Sequence, residues 1–156
     1  MRQLEFEQLC RDASLALGID DTGALGQGFT IVFEGVPFET SFADGSGTFL
    51  LIAEIGGVAP ARRRAVHEKL LAVQLLAWQL PGMRFGFNPQ RQTELLCMEC
   101  SLGPASTGAW LAALMRSAAL SVTGWARTLI AGDEPLPDEA GDRREAAIAS
   151  VLARLG

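Results

Sequence analysis

The chain has 156 residues and 16.6 kDa, the length of one domain, and its net charge of −5 with a pI near 4.9 is the wrong sign for a nucleic-acid binder. Apolar residues make up 49%, charged residues 20%, and the mean hydropathy is +0.22, richer in apolar side chains than a soluble monomer needs, so some surface is expected to meet a partner. Membrane insertion is excluded by run length, since a spanning helix needs about 20 apolar residues: the uncharged stretch from Cys100 to Met115 is broken by Gly103, Pro104 and Gly108, and Leu70 to Met83 contains Gln74, Gln79 and Pro81.

Met1 is followed by Arg2, Glu5 and Glu7 without an apolar stretch, so no secretory signal is expected and a cytoplasmic location is predicted. From Leu4 to Leu17, Phe6, Leu9, Cys10, Ala13 and Leu17 follow the spacing of one helix face, and Gly18 stops the helix. Leu4 and Leu15 fall on the polar side, as candidates for partner contact. The period then changes to two. Phe29, Ile31 and Phe33 alternate with Thr30, Val32 and Glu34, and after Gly35 a second run alternates Val36, Phe38, Thr40 and Phe42 with polar neighbours. Asp44-Gly45-Ser46-Gly47 turns the chain into a third strand, Phe49 to Ile55, apolar on both faces and therefore central in a meander.

Pro60 sits near the first turn of a helix predicted to run to about Gln79, where Val66, Leu70, Leu71, Val73, Leu75, Leu76, Ala77 and Trp78 wrap more than half its circumference. Such a helix is buried on two sides, one against the sheet and one against another chain. Pro81-Gly82 ends it. Strands are predicted at Met83 to Phe87 and Thr93 to Leu102, separated by the Asn88-Pro89 turn. Trp110, Leu111, Leu114, Ala118, Val122, Trp125 and Leu129 mark a long helix, with Gly132 past its end. The fold class is α+β: helix, three-stranded meander, helix, two strands, helix, with an antiparallel sheet packed against helices. Residues 1–132 form the domain. Residues 133–156 are an acidic extension, with six acids against three arginines and a short helical pattern from Arg143 to Leu155.

Catalytic chemistry finds little support. Cys97 and Cys100 have C-x-x-C spacing but lie in a strand, where residues three apart face opposite ways, and three cysteines in all fit a reducing compartment. His67 is the one histidine, and with Arg62, Arg63 and Arg64 it reads as part of a solvated helix face. The glycines complete no phosphate-binding pattern. No catalytic residue, metal, nucleotide or other cofactor is expected. What stands out is aromatic: Phe29, Phe33, Phe38, Phe42, Phe49, Phe85 and Phe87 all fall on predicted strands, more than two or three helices easily cover. A sheet with residual apolar surface and an open edge can accept an extended peptide as an added strand.

Across about residues 4 to 130 the chain resembles the class I type III secretion chaperones, the Tir chaperone family. The resemblance rests on Leu17-Gly18-Ile19, on Ile55-Gly56 followed by Pro60, on Leu70-Leu71, on Phe85-Gly86-Phe87-Asn88-Pro89 leading into Leu95-Leu96, and on Trp125 and Leu129. It implies a homodimeric protein of the bacterial cytosol, acting in virulence. Such a protein binds the N-terminal chaperone-binding segment of a secreted effector, keeps it non-globular, and delivers it to components of the secretion apparatus. By element, the resemblance maps effector binding onto Leu4, Phe6, Leu15, Phe29, Ile31, Phe33 and Phe38, and the dimer interface onto Leu70, Val73, Leu76, Ala77 and Phe87. The segment after Gly132 extends beyond the usual core, as a tail, a helix on the dimer, or a placeholder over the effector groove. The alternative function is a regulatory module of the same fold that sequesters a partner without export.

Overall fold

A computed structural model describes residues 2–43, 45–77 and 82–132. The expected end of the second long helix at Trp78 and Gln79 and the whole extension 133–156 lie outside the described residues.

Helix α1 (Arg2–Leu17) buries Phe6, Leu9, Cys10 and Ala13 on one side. Gly18 ends it in the left-handed region at φ 71, where its N–H reaches the Leu15 carbonyl at 3.1 Å and the Ile19 N–H reaches Ser14 at 2.9 Å. A side chain with a β-carbon would be strained there, so glycine is the natural stop. A 3-10 turn, Leu25–Gln27, follows. The hydrophobic period does not announce it. It is held by tertiary contacts: Leu25 is fully buried and its carbonyl accepts the Thr40 hydroxyl.

The strands β1 (Ile31–Phe33), β2 (Val36–Phe42), β3 (Thr48–Gly57), β4 (Met83–Asn88) and β5 (Thr93–Ser101) form one antiparallel sheet in the order β1-β2-β3-β5-β4. The strand that is apolar on both faces, β3, is the central one, as its pattern predicts. The first hairpin closes on two residues at positive φ, Glu34 at 49° and Gly35 at 77°, the turn geometry whose twist matches paired strands. Between Glu54 and Gly56 the β3–β5 register shifts by a bulge.

One face of the sheet is the core: Ile31, Phe38, Phe49, Leu51, Ala53, Leu96, Met98 and Cys100 are all buried. Phe6 of α1 stacks on Phe42 at 4.8 Å between ring centroids and tilts onto Phe49 at 5.2 Å. Helix α3 (Gly108–Trp125), capped by the Thr107 hydroxyl accepting from the Trp110 N–H at 3.1 Å, completes that layer. Its first residue must be glycine, because a β-carbon on Gly108 would overlap the Asp12 side chain and lie 2.8 Å from its carbonyl carbon. The helix predicted to continue regularly through Leu129 instead widens into a π-helical turn at Ala126–Ile130. Helix α2 (Pro60–Leu76) lies on the same face of the sheet towards β4, burying Val66 and Leu70, with Ala77 buried just past its end.

Candidate partner-binding surfaces

Exposed apolar side chains concentrate in three places. The first is the β1 edge of the sheet, where Phe29 and Val32 are 61% and 65% exposed. In a two-residue hairpin the residues flanking the turn, here Phe33 and Val36, exchange their hydrogen bonds with each other. Alternation then directs the Val32 N–H and C=O outward, so β1 offers both an apolar side chain and unpaired main chain. The opposite edge is different. The Phe85 N–H of β4 is taken by the Gln74 side-chain oxygen from α2 at 2.8 Å, which blocks that edge to a further strand at this position.

The second place is α1. Leu4 and Leu15 lie on its solvent side, eleven residues apart on one stripe with Gln8 and Arg11 between them. Beside Leu4 a shallow groove runs between α1 and the start of α3, lined by Glu5, Gln8, Asp12 and Thr107. The third place is the outer side of α2, where Leu71, Leu75 and Leu76 are exposed by 63%, 72% and 76%. The surplus of apolar residues around this helix was legible in its sequence, and among the described residues it stands largely exposed.

Of the residues that the family resemblance maps to effector binding, the structure therefore exposes Leu4, Leu15 and Phe29. Phe33 is half-buried against the core, and Phe6, Ile31 and Phe38 are core residues. Val32 takes their place at the edge; its strand alternation placed it opposite Ile31 and Phe33, which was the available signal. Of the residues mapped to the dimer interface, Leu76 is exposed, Val73 and Phe87 are half-buried, and Leu70 and Ala77 are buried within the chain.

The polar residues read as a solvated face have defined partners. His67 Nε2 lies 2.8 Å from Oε1 of Glu94, a carboxylate only 2% exposed, and the His67 ring meets Phe87 edge-on at 5.4 Å. Arg63 stacks its guanidinium over the same Phe87 ring at 5.2 Å. Arg62 donates to the carbonyls of Leu129 and Ile130, closing the π-helical turn. Arg62 keeps its exposure despite these bonds, and Arg64 lies in a surface pair with Glu68, so these two match the solvated reading while Arg63 and His67 are half-buried. Polar partners across 27 and 68 positions of chain carry no local sequence signal.

The cysteines are separated as their strand position requires. Cys100 faces the core and Cys97 the other face. Burial pushes the Cys10 and Cys100 thiols up to about 12, and burial also raises Cys97, partly opposed by Arg84. Raised thiols are poor nucleophiles and poor metal ligands. Among the described residues no group of histidine, cysteine and acidic side chains is placed to hold a metal ion, and no helix is long and apolar enough to cross a membrane.

No protein-family model matches this sequence, and no curated protein matches it. Its fold has a counterpart among solved structures. A chain of the HopA1–SchA chaperone–effector complex is similar with a TM-score of 0.56 at 15% identity, over 84% of this chain and 97% of that one. The shared α+β arrangement is thus one found in a chaperone–effector assembly.

Proposed function

We propose that this protein is a type III secretion chaperone. It binds the N-terminal segment of a secreted effector in the bacterial cytosol, keeps it non-globular, and passes it to the secretion apparatus, by binding alone and without a cofactor. The observation that carries this reading is the open β1 edge, where outward main-chain groups of Val32 stand beside the exposed Val32 and Phe29 side chains. Strand addition supplies main-chain affinity, and side-chain contacts select the partner. Leu4 and Leu15 on α1 extend the apolar contact a disordered partner needs to offset its ordering cost. The resemblance of the sequence to the Tir chaperone family and the fold shared with a chain of a chaperone–effector complex both support it.

A second copy of the chain belongs to the same reading. Its contact is the Leu71 and Leu75 side of α2 with the neighbouring Phe87 of β4, an apolar surface next to an edge that Gln74 partly blocks. Light scattering of the purified chain, alone and with the N-terminal region of a co-encoded secreted protein, tests the proposal. The expected result is a dimer that takes up one such segment. A chain that ignores the segment overturns the chaperone reading and favours a regulatory module.

A further inference from the structure

The sheet has a second face, turned away from the three helices. Strand alternation puts Thr30 and Val32 there at the β1 edge, then Pro37 and Glu39 of β2, Ile52 and Glu54 of β3, and Leu95 of β5. Pro37, Ile52 and Leu95 line a small pocket of about 40 Å³ together with Glu39, Glu54 and Arg91. At the ~10–15 Å³ that one water needs, it has room for the end of one side chain and not for a free ligand. Its charges do not balance. Arg91 donates to Glu54 at 3.2 Å, whereas half-buried Glu39 has, among the described residues, only the Thr30 hydroxyl at 3.3 Å. A half-buried carboxylate with one long hydrogen bond keeps lone pairs for a cation.

Val32 pairs with Pro37, and the Thr30–Glu39 contact continues that pairing by two residues. A strand added on the outer side of β1 therefore sets residues opposite Thr30 and Val32 with their side chains on this face. The position opposite Thr30 lies two strand spacings from Glu39, about 9.6 Å. The long stem of Lys or Arg spans that gap beside Val32 and Pro37. We infer that the segment captured at β1 carries a Lys or Arg opposite Thr30, two positions from an apolar residue opposite Val32, and that this cation pairs with Glu39 at the pocket. The inference rests on capture at β1 and adds the chemistry that selects the segment there.

Calorimetric titration with the N-terminal region of the co-encoded secreted protein tests it, on the full natural chain, Glu39→Gln and Val32→Asp. Each Lys and Arg of that region is replaced by Met in turn. One such replacement should weaken binding to the natural chain about fivefold, as should Glu39→Gln, and the two together should lose no more than either alone, the coupling of a charge pair. Gln keeps an acceptor for Thr30, so the urea midpoint of Glu39→Gln should match that of the natural chain. Natural affinity in Glu39→Gln, beside lost capture in Val32→Asp, overturns the inference and leaves the chaperone reading standing. A loss in Glu39→Gln that couples to no single Lys or Arg replacement also overturns it. A region that the natural chain ignores, or that Val32→Asp still captures in full, overturns the inference together with capture at β1.

Discussion

His67 Nε2 and Glu94 Oε1 stand 2.8 Å apart across the junction of α2 and β5, and with the Gln74–Phe85 hydrogen bond this contact ties that helix to the sheet. Glu94 is buried beneath α2 while His67 keeps about a third of its surface in solvent. The carboxylate therefore depends on the imidazole far more than the imidazole depends on it. Removing a partner from a buried charged group costs more than the bond itself contributes. His67→Ala should destabilise the fold by about 2–3 kcal/mol, read as a lower urea midpoint at unchanged slope. Glu94→Gln, which keeps a hydrogen-bonding group in the same space, should cost clearly less.

The buried thiols set the alkaline limit of stability. Cys10 and Cys100 rise to about 12 in the fold, with burial as the first cause for each, against an ordinary value near 9. The neutral thiol is thus favoured in the folded state. Their contribution is complete below pH 9 and is lost as pH rises from 9 towards 12, by about 1.4 kcal/mol per pH unit for each thiol. Thermal melts between pH 8 and 11 should show Tm falling above pH 9, and a Cys10→Ala, Cys100→Ala variant should flatten that fall. In native buffer a thiol reagent should modify these two cysteines only at the rate of unfolding.

The β1 edge separates binding from stability. Val32 and Phe29 are largely exposed and support no core contact, so Val32→Asp and Phe29→Asp should each change stability by no more than about 0.5 kcal/mol. Each should weaken capture of the partner segment at least tenfold, as expected of an apolar anchor at an interface centre. Isothermal titration with the segment, beside urea unfolding of the same variants, distinguishes the two effects. The neighbouring Phe38→Asp is the opposite case, since Phe38 is a core residue and its loss unfolds the chain.

How much of this was legible before the fold depends on the range of the interaction. The helix faces, the hairpin at Gly35, the central β3 and the two-sided apolar surface of α2 follow from period and turn residues, which act over a few positions. The split of the strand phenylalanines between core and edge needed the sheet: Phe38 faces α3's side of the molecule, whereas Val32, one step out of phase with Ile31, faces away. The partners of Arg62, Arg63 and His67 come from strands and turns remote in sequence. The 3-10 turn at Leu25–Gln27 and the π-helical turn at Ala126–Ile130 are local geometries set by what packs on them, Thr40 for one and Arg62 for the other.

Close backbone approach gives a further prediction. Helices α1 and α3 meet at Gly108, where any β-carbon collides with Asp12 backbone and side chain. Gly108→Ala adds a single carbon and removes no contact, yet it must push the two helices apart over the core. The expected cost is about 2–3 kcal/mol, larger than the helix propensity that alanine gains. By contrast Gly124→Ala, at a position with open space around it, should stabilise the same helix by up to about 1 kcal/mol. Chemical unfolding of the two variants side by side gives opposite signs if the contact, rather than propensity, decides.

Helix α2 decides how self-association can be tested. Leu70→Asp would place a charge among Val66 and other core residues, since Leu70 is buried within the chain, and its effect on mass would merely report unfolding. Leu75 lies on the same helix but 72% exposed, so Leu75→Asp leaves the protomer's own packing intact. In a dimer built on the Leu71–Leu75 side, the new carboxylate would be desolvated opposite another apolar surface, a cost of several kcal/mol across the interface. Sedimentation velocity should then show the variant as a folded monomer at concentrations where the natural chain is dimeric. Circular dichroism and the urea midpoint of the monomer should remain unchanged. A variant that keeps the natural chain's mass places the dimer contact elsewhere than on this side of α2.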